Sequence, residues 1–464
     1  MIGAYGELLR AVCAEPYPLP TIIRHYARFV NRLLSVWFWV IIHLRVCKCG
    51  GVSCLGVKVG LELNKVVVQV EEMGQTLAQR ETQIEERLIQ AREALKRHAQ
   101  VSDELHTKTK LACEVDTSWR GAVPLGSLLD EHRLFSPKPP PATLIAVDGS
   151  QIYPDRHGIA PYYLLNIGSI TLRQGSGAAP LTGSQPSLFF AQEELYDEKG
   201  RLHNVEHVNQ QRDRCEIETL ASLAESEREA LGEDSTRSIL ALVDGPLLFW
   251  GPSQVGDHEA QDETQRQLEH FTSQLSRVRG ARAVPMGYVD RPGSANVLRT
   301  LELAELTSEQ INRASVRNRE YEPLVDRMLF ASLGPGERSA LFASTSMLND
   351  KYARAGHHIV FFYANMARRA GDENAIIARV ELPEWAALDQ QRLDQIMGAL
   401  YADCELTGVP YVLIRAHELA VVTSVERTEF ESLLAQQMIR NGLSPQLSAK
   451  AAGKKLTVRD RRRR

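Results

Sequence analysis

The sequence predicts an α/β fold: a mixed sheet flanked by helices, preceded by a helical or coiled-coil extension. Three observations carry this prediction. Short apolar runs at 144–148 (LIAVD), 239–244 (ILALVD) and 283–289 have the length and branched side chains of buried strands. Amphipathic stretches at 206–230, 261–279 and 295–312 lie between and after them and are long enough to be helices. Ahead of both, residues 63–111 carry a helical apolar stripe.

In that extension Val70, Met73, Leu77, Ile84, Leu88, Ala91 and Leu95 recur at steps of three, four or seven among Glu, Gln, Lys and Arg. Such spacing suits a helical hairpin or a coiled-coil partner. The segment 136–141 (SPKPPP) cannot continue a helix and reads as an extended spacer. The main domain begins after it, with strands at 144–148, 162–173 and 188–196, helix 206–230 and strand 239–244. Helix 261–279, strand 283–289 and helix 295–312 follow, then strands at 339–343, 358–364 and 375–381. Helix 387–403, strand 410–415 and helix 426–440 close it. Strands interleaved with helices require a mixed sheet. The expected organisation is an unassigned extension at 1–60, a helical region at 63–135, the main domain at 142–450 and a basic, solvated tail at 451–464.

A chain of 464 residues with 44% hydrophobic and 24% charged residues is long enough to bury a large core. Its net charge of −4 gives no global basic field, which argues against a passive DNA coat. An enzyme can still bind phosphates through a local groove. Four of the seven cysteines (Cys13, Cys47, Cys49, Cys54) fall in the first 60 residues, with spacing unsuited to a zinc knuckle. Cys113, Cys215 and Cys404 are far apart and read as small core residues of a cytoplasmic protein. The apolar run at 33–44 is shorter than the roughly 20 residues that cross a bilayer, so no stable membrane association is expected. Composition changes abruptly near Gly60, and residues 1–60 are expected to be upstream sequence from a misassigned start codon, with the native start near 59–63.

The residues that carry chemistry sit at the tips of the buried runs. Val147-Asp148-Gly149-Ser150 ends the first strand, where Gly149 is expected to turn the chain and leave the carboxylate exposed. The same grammar recurs at Val243-Asp244-Gly245-Pro246. Asp-Gly is also a common turn dipeptide, but two carboxylates on two buried strands need a partner or a metal. On the intervening helix Glu216 shares the apolar stripe with Leu220 and Leu223, whereas Glu218 aligns with Ser222 and Glu225 on the wet side. Glu216 is therefore the expected third ligand, with Glu218 its rival. Carboxylate ligands favour Mg or Mn over zinc and suit phosphodiester cleavage. His417, expected just after a strand, is placed to ligate metal or shuttle a proton. His357 and His358 read as structural, and Phe361, Phe362 and Tyr363 as core.

With these residues in hand, the chain resembles the NurA nuclease family. The matching pieces are VDGSQ at 147–151, YYLLNIGSI at 162–170, LVDGPL at 242–247 and VPMGYVDRPGSANVL at 284–298. PGERSALF at 335–342, ARVELPEW at 378–385 and VPYVLIRAHELAVV at 409–422 continue the series in order. The resemblance implies an RNase H-like fold, a homodimer, and Mn-dependent exonuclease and endonuclease activity on single-stranded DNA. It also implies partnership with the hexameric ATPase HerA in DNA end resection. Carried over by motif, Asp148 and Asp244 match the family aspartates, His417 the late histidine, and Glu216 the helix glutamate. Arg291 and Arg338 are candidate phosphate contacts, because a guanidinium binds phosphate oxygens bidentately. The competing reading is a catalytically silent dimeric adaptor that docks on the ATPase and guides DNA. A third reading, a membrane-tethered protein, rests wholly on residues 30–47.

Overall fold

The computed structural model describes residues 63–445, apart from 233–234, 250–257, 368–374 and 406. The extension at 1–60 with its apolar run and four cysteines, and the tail at 451–464, lie outside the described residues. The chain divides at residues 75 and 76 into two units. The described part of the first is a 3-10 turn, Leu63–Lys65, and the opening turns of helix α1 (Val67–Arg97), where Val67, Val68, Val70 and Met73 are exposed.

In the second unit α1 continues, and Ala91, Ala94 and Leu95 are buried in a cluster that Ile84 and Leu88 flank. The C-terminal half of the predicted stripe therefore packs against its own unit, whereas Leu77 is exposed. Helix α2 (Asp103–Val115) follows and starts where Ser102 Oγ accepts from Leu105 N. The 63–135 region is not purely helical: it also holds β1 (Ala122–Pro124) and β2 (Arg133–Leu134), which pair with strands far along the chain.

Strands β3 (Thr143–Ile152), β4 (Tyr163–Arg173) and β5 (Leu181–Phe189) form an antiparallel meander. The strand expected at 188–196 lies earlier, because β5 is an edge strand with little burial and so lacks an apolar alternation to read. Helix α3 (Val205–Leu231) leads to β6 (Ile239–Asp244), and helix α4 (His258–Gly280) to β7 (Ala283–Val289). After α5 (Asn296–Ala304) come β8 (Glu337–Arg338), β9 (Phe342–Ser344), α6 (Met347–Arg354), β10 (Ile359–Asn365) and β11 (Ile377–Pro383). Helices α7 (Gln390–Asp403), α8 (Tyr411–Ala420) and α9 (Ser424–Arg440) follow as the last elements among the described residues.

Among the described residues all strands join one 11-stranded sheet with main order β1-β9-β10-β11-β7-β6-β3-β4-β5. β3, β6 and β7 run parallel, and their other neighbours are antiparallel. The result is a mixed sheet flanked by helices, consistent with the RNase H-like expectation. Alternate residues of β3 feed different clusters: Leu144 and Ala146 meet Met397, Val412 and Ala416, while Ile145 and Val147 meet Ile217, Leu220 and Leu275. The strand expected at 410–415 is helix α8. Its run of Val, Leu and Ile mimics a strand, but Val412, Leu413, Ala416 and Ala420 form one buried helical face. The Pro-rich segment is no free spacer either: a Cβ on Gly398 of α7 would lie 2.5 Å from Ser136 O and 3.1 Å from Pro139.

Phe361, Phe362 and Tyr363 are fully buried on β10, as expected for core. His357 bonds Ser276 at 2.8 Å and His358 bonds Glu384 at 2.9 Å, both away from the carboxylates described next. Cys404 is buried, and Cys113 and Cys215 are half-buried. Among the described residues no helix is long and apolar enough to cross a membrane.

Candidate metal centre

The parallel register of β3 and β6 runs from Thr143↔Ile239 to Val147↔Val243, so Asp148 and Asp244 stand side by side one step further on. Equal parity puts both carboxylates on one face of the sheet. Asp148, Glu216 and Asp244 line a single cavity of about 330 Å³, so the three predicted carboxylates converge. His417 joins them from α8, its Nδ1 standing 2.7 Å from Asp148 Oδ2.

Two glycines make this convergence sterically feasible. The strand does not turn after Asp148: β3 continues to Ile152, and Gly149 is an ordinary strand residue. Its role is to be small. A Cβ there would lie 2.5 Å from Glu216 Oε1 and 2.6 Å from Arg212 Cγ, so the missing side chain is the gap through which Glu216 reaches the sheet from α3. Only the second Asp-Gly behaves as a turn, with Gly245 at φ 120°. Gly168 sits opposite Asp148 on β4 and serves the other face. A Cβ on it would lie 2.4 Å from both Ala416 O and Ala420 N, so α8 rests directly on the sheet there and delivers His417.

The ends of α8 are fixed separately. Ser150 donates to Ala420 O at 2.5 Å, and Asn166 Nδ2 to the same oxygen at 2.8 Å. At the other end Asp403 accepts from the backbone N–H groups of Val412 and Tyr411. Burial pushes the Asp403 carboxyl up to about 6, against the lowering effect of those donors. A folded-state value above the unfolded one favours the protonated form on folding. That contribution is complete below about pH 4 and lost as pH rises through about 6. Asp403→Asn, which keeps an acceptor for the helix and removes the charge, is therefore expected to raise Tm at pH 8 and change it little at pH 4. On the order of 3 kcal/mol is at stake at most. Thermal melts at the two pH values check this, and equal shifts at both would refute it.

Electrostatically the cavity is crowded with negative charge. Glu216, with a side chain 20% exposed, is pushed up to about 8, first by burial and then by Asp213, Asp148 and Asp244, while Arg212 opposes the shift. Asp244 is an exposed residue overall, yet its carboxyl loses solvation against the cavity wall and is raised, with Asp148 and Asp290 adding to the effect. Arg212 lies 3.1 Å from Glu216 and is held by Asp213 at 2.7 Å and Gln151 at 3.2 Å. Glu218 faces out, 40% exposed, and pairs with Arg214 at 3.1 Å, so the helix carboxylate in the cavity is Glu216. Among the described residues no group of three or more His, Cys, Asp or Glu side chains already stands in ligating geometry.

The two arginines fare differently. Arg338 is 0% exposed, bonds Ser339 O and Gln390, and stacks on Phe362, so it is a core cation and no phosphate contact. Arg291 is exposed in the turn after β7, at φ 49°. Sequence reasoning missed Asp213 and Asp290. Asp290 was legible, because Val289-Asp290 at the end of β7 repeats the Val-Asp endings of 147–148 and 243–244. It also missed Glu381, whose buried Oε2 accepts from Leu247 N at 3.0 Å and fixes the chain just beyond Asp244.

The family model that matches this chain is that of the NurA domain, over residues 142–422. The chain belongs to the NurA family. The NurA domain so defined contains every residue of the centre, from Asp148 to His417. Among solved structures, the crystal structure of the NurA nuclease from Sulfolobus solfataricus is similar, with a TM-score of 0.40 and 11% identity. The match covers 79% of this chain and 98% of that one. No curated protein matches in sequence.

Proposed function

We propose that this protein is a metal-dependent DNA nuclease acting on single-stranded DNA as exonuclease and endonuclease. In this reading it works as a homodimer with a HerA-type hexameric ATPase in DNA end resection. The observation that carries the nuclease reading is the convergence of Asp148, Glu216 and Asp244 on one cavity beside His417. The NurA domain match supports the same activity, and the ATPase partner rests on the family resemblance alone.

The donor set fits a divalent cation. The Asp148 charge raises both Asp244 and Glu216, and Glu216 is held high, so a bound cation would relieve a repulsion that the fold already contains. Asp148, Glu216 and Asp244 would hold it, with His417 as a further ligand, and an oxygen-rich set favours Mn2+, with Mg2+ as the alternative. When bound, the ion supplies Lewis-acid stabilisation of charge developing on the phosphodiester oxygens. The chain's own residues do the rest. With Nδ1 engaged by Asp148, Nε2 of the exposed His417 ring is the one nitrogen left, and it serves either as that further ligand or to exchange a proton with the leaving oxygen, not both at once. Arg212 balances the acidic wall and offers a guanidinium to a phosphate oxygen, and Arg291 stands at the rim.

Purified protein, a labelled single-stranded oligonucleotide and Mn2+, Mg2+ or chelator test this reading. Cleavage is expected with Mn2+ and none with chelator, and a protein inert with both metals would overturn it. In the same assay Glu216→Gln is expected to cut activity by roughly a hundredfold or more while Glu218→Gln stays near the native rate. A dead Glu218 variant beside a working Glu216 variant would move the ligand to Glu218.

A further inference from the structure

The acidic cavity shares a wall with a second cavity, and that one with a third. Pro246 and Leu248 line the acidic cavity and also line the second, of about 260 Å³, which in turn shares Arg120, Gly293, Ser294 and Asn296 with the third, of about 470 Å³. These shared walls set the three cavities in a row, a trough that leads away from the carboxylates over the segments following β6 and β7. Its character reverses along the way. The near end carries Asp148, Glu216 and Asp244, whereas the far end carries Arg120, Arg299, Arg317 and Arg319 against Asp116 alone.

Most of these arginines already have acidic partners. Arg317 binds Asp116 at 2.6 Å, Arg299 binds Glu302 at 3.1 Å, and Arg319 lies 3.6 Å from Glu322. Arg120 differs. Its Nη1 donates to Thr117 O at 2.8 Å and Trp119 O at 2.9 Å, and no carboxylate pairs with it among the described residues. The two carbonyls fix the guanidinium at the junction of the second and third cavities. Beside it, buried Arg379 donates to Ser294 Oγ at 3.4 Å and Asn296 Oδ1 at 3.0 Å, which orients two neutral polar side chains of the same wall. A held, unneutralised guanidinium beside ordered hydroxyl and amide groups is a phosphate site.

We propose that this trough carries the sugar-phosphate backbone of a single DNA strand whose scissile bond lies at the carboxylates, with Arg120 as its principal phosphate contact. The proposal rests on the nuclease reading and adds the strand's path. Acidic ligands repel the polyanion they cut, so a cationic hold beside them has to supply the affinity, and net charge elsewhere on the protein does not.

The test is binding of a fluorescein-labelled oligothymidylate by the full chain, followed by anisotropy in chelator across a salt series, with cleavage in Mn2+ measured in parallel. Each phosphate contact on a single strand adds about 0.7 to the slope of log affinity against log salt. Arg120→Ala is expected to lower the slope by about that amount and weaken binding roughly fivefold, and Arg120→Glu by tenfold or more. Arg120→Lys keeps the charge and is expected to keep the slope. Arg392→Ala, in a cavity beside the segments that precede β6 and β7, is the control and is expected to bind as the native chain does. Native-like slope and affinity in folded Arg120→Glu would overturn the trough while leaving cleavage by the native chain to stand. A native chain that fails to bind the strand would also overturn it, and the parallel Mn2+ assay separately decides whether the nuclease reading falls too.

Discussion

Asp148→Asn and Asp244→Asn are each expected to abolish Mn2+-dependent cleavage, by roughly a thousandfold or more, without unfolding the protein. The two carboxylates stand on adjacent parallel strands, one step past a pairing that fixes their spacing. No other described carboxylate occupies that position, so nothing nearby substitutes for either. The stability readout has the opposite sign. Asp244 is raised by poor solvation first and then by Asp148, and Glu216 by burial first and then, among other charges, by both aspartates. Removing one charge therefore relieves repulsion, and the melting temperature is expected to stay level or rise when no metal is present. Strain of this kind is what a site built for a cation would store. A variant that cleaves at the native rate would remove that aspartate from the centre, and a variant that melts much lower would make the residue structural.

Gly168→Ala is expected to have the largest effect on stability of any single-methyl change near the site. The added Cβ would lie 2.4 Å from Ala416 O and Ala420 N, both backbone atoms of α8. Backbone has no rotamer through which to yield, so α8 must lift from the sheet. Overpacking of this kind costs about 2 kcal/mol, which is several degrees in melting temperature. Lifting α8 also carries His417 away from Asp148, so residual activity is expected to fall as well. Gly280→Ala is the control: a Cβ there meets nothing within 4 Å, and it lies at a helix end. It is expected to leave the melting temperature unchanged or slightly higher. Equal melting temperatures for the two variants would mean that α8 does not bear on Gly168.

Much of this architecture is legible in the linear pattern. β6, β7 and β10 announce themselves as short runs of branched apolar residues, and Glu216 is separable from Glu218 by its place on the α3 stripe. The misreadings share one cause, which is that local chemistry underdetermines contact. In Asp148-Gly149 the glycine looks like a turn residue, yet its place is set by Glu216 and Arg212 of a helix that packs over it from later in the chain, so turn propensity gives the wrong reason for its presence there. In the α8 run, Val412 to Ile414 satisfies strand propensity, and only the sheet beneath it, open at Gly168, selects the helix. Arg338 looks like a surface cation because most arginines are, and nothing in PGERS reveals that Gln390 and the Phe362 ring enclose it. Asp290 could have been found, since its strand ends like the two that were noticed.

His417 and Asp148 touch across 269 positions of sequence. During synthesis the aspartates and Glu216 leave the ribosome long before the histidine, so the growing chain holds an acidic notch but not yet a finished site. Closure waits on the docking of one ten-residue helix, a late and long-range event. Buried on the sheet and pinned by Ser150 and Asn166 at one end and Asp403 at the other, that helix has no easy way to leave before the sheet melts. Loss of function on warming is then expected to coincide with loss of fold, with amide exchange along α8 rising together with that of the sheet.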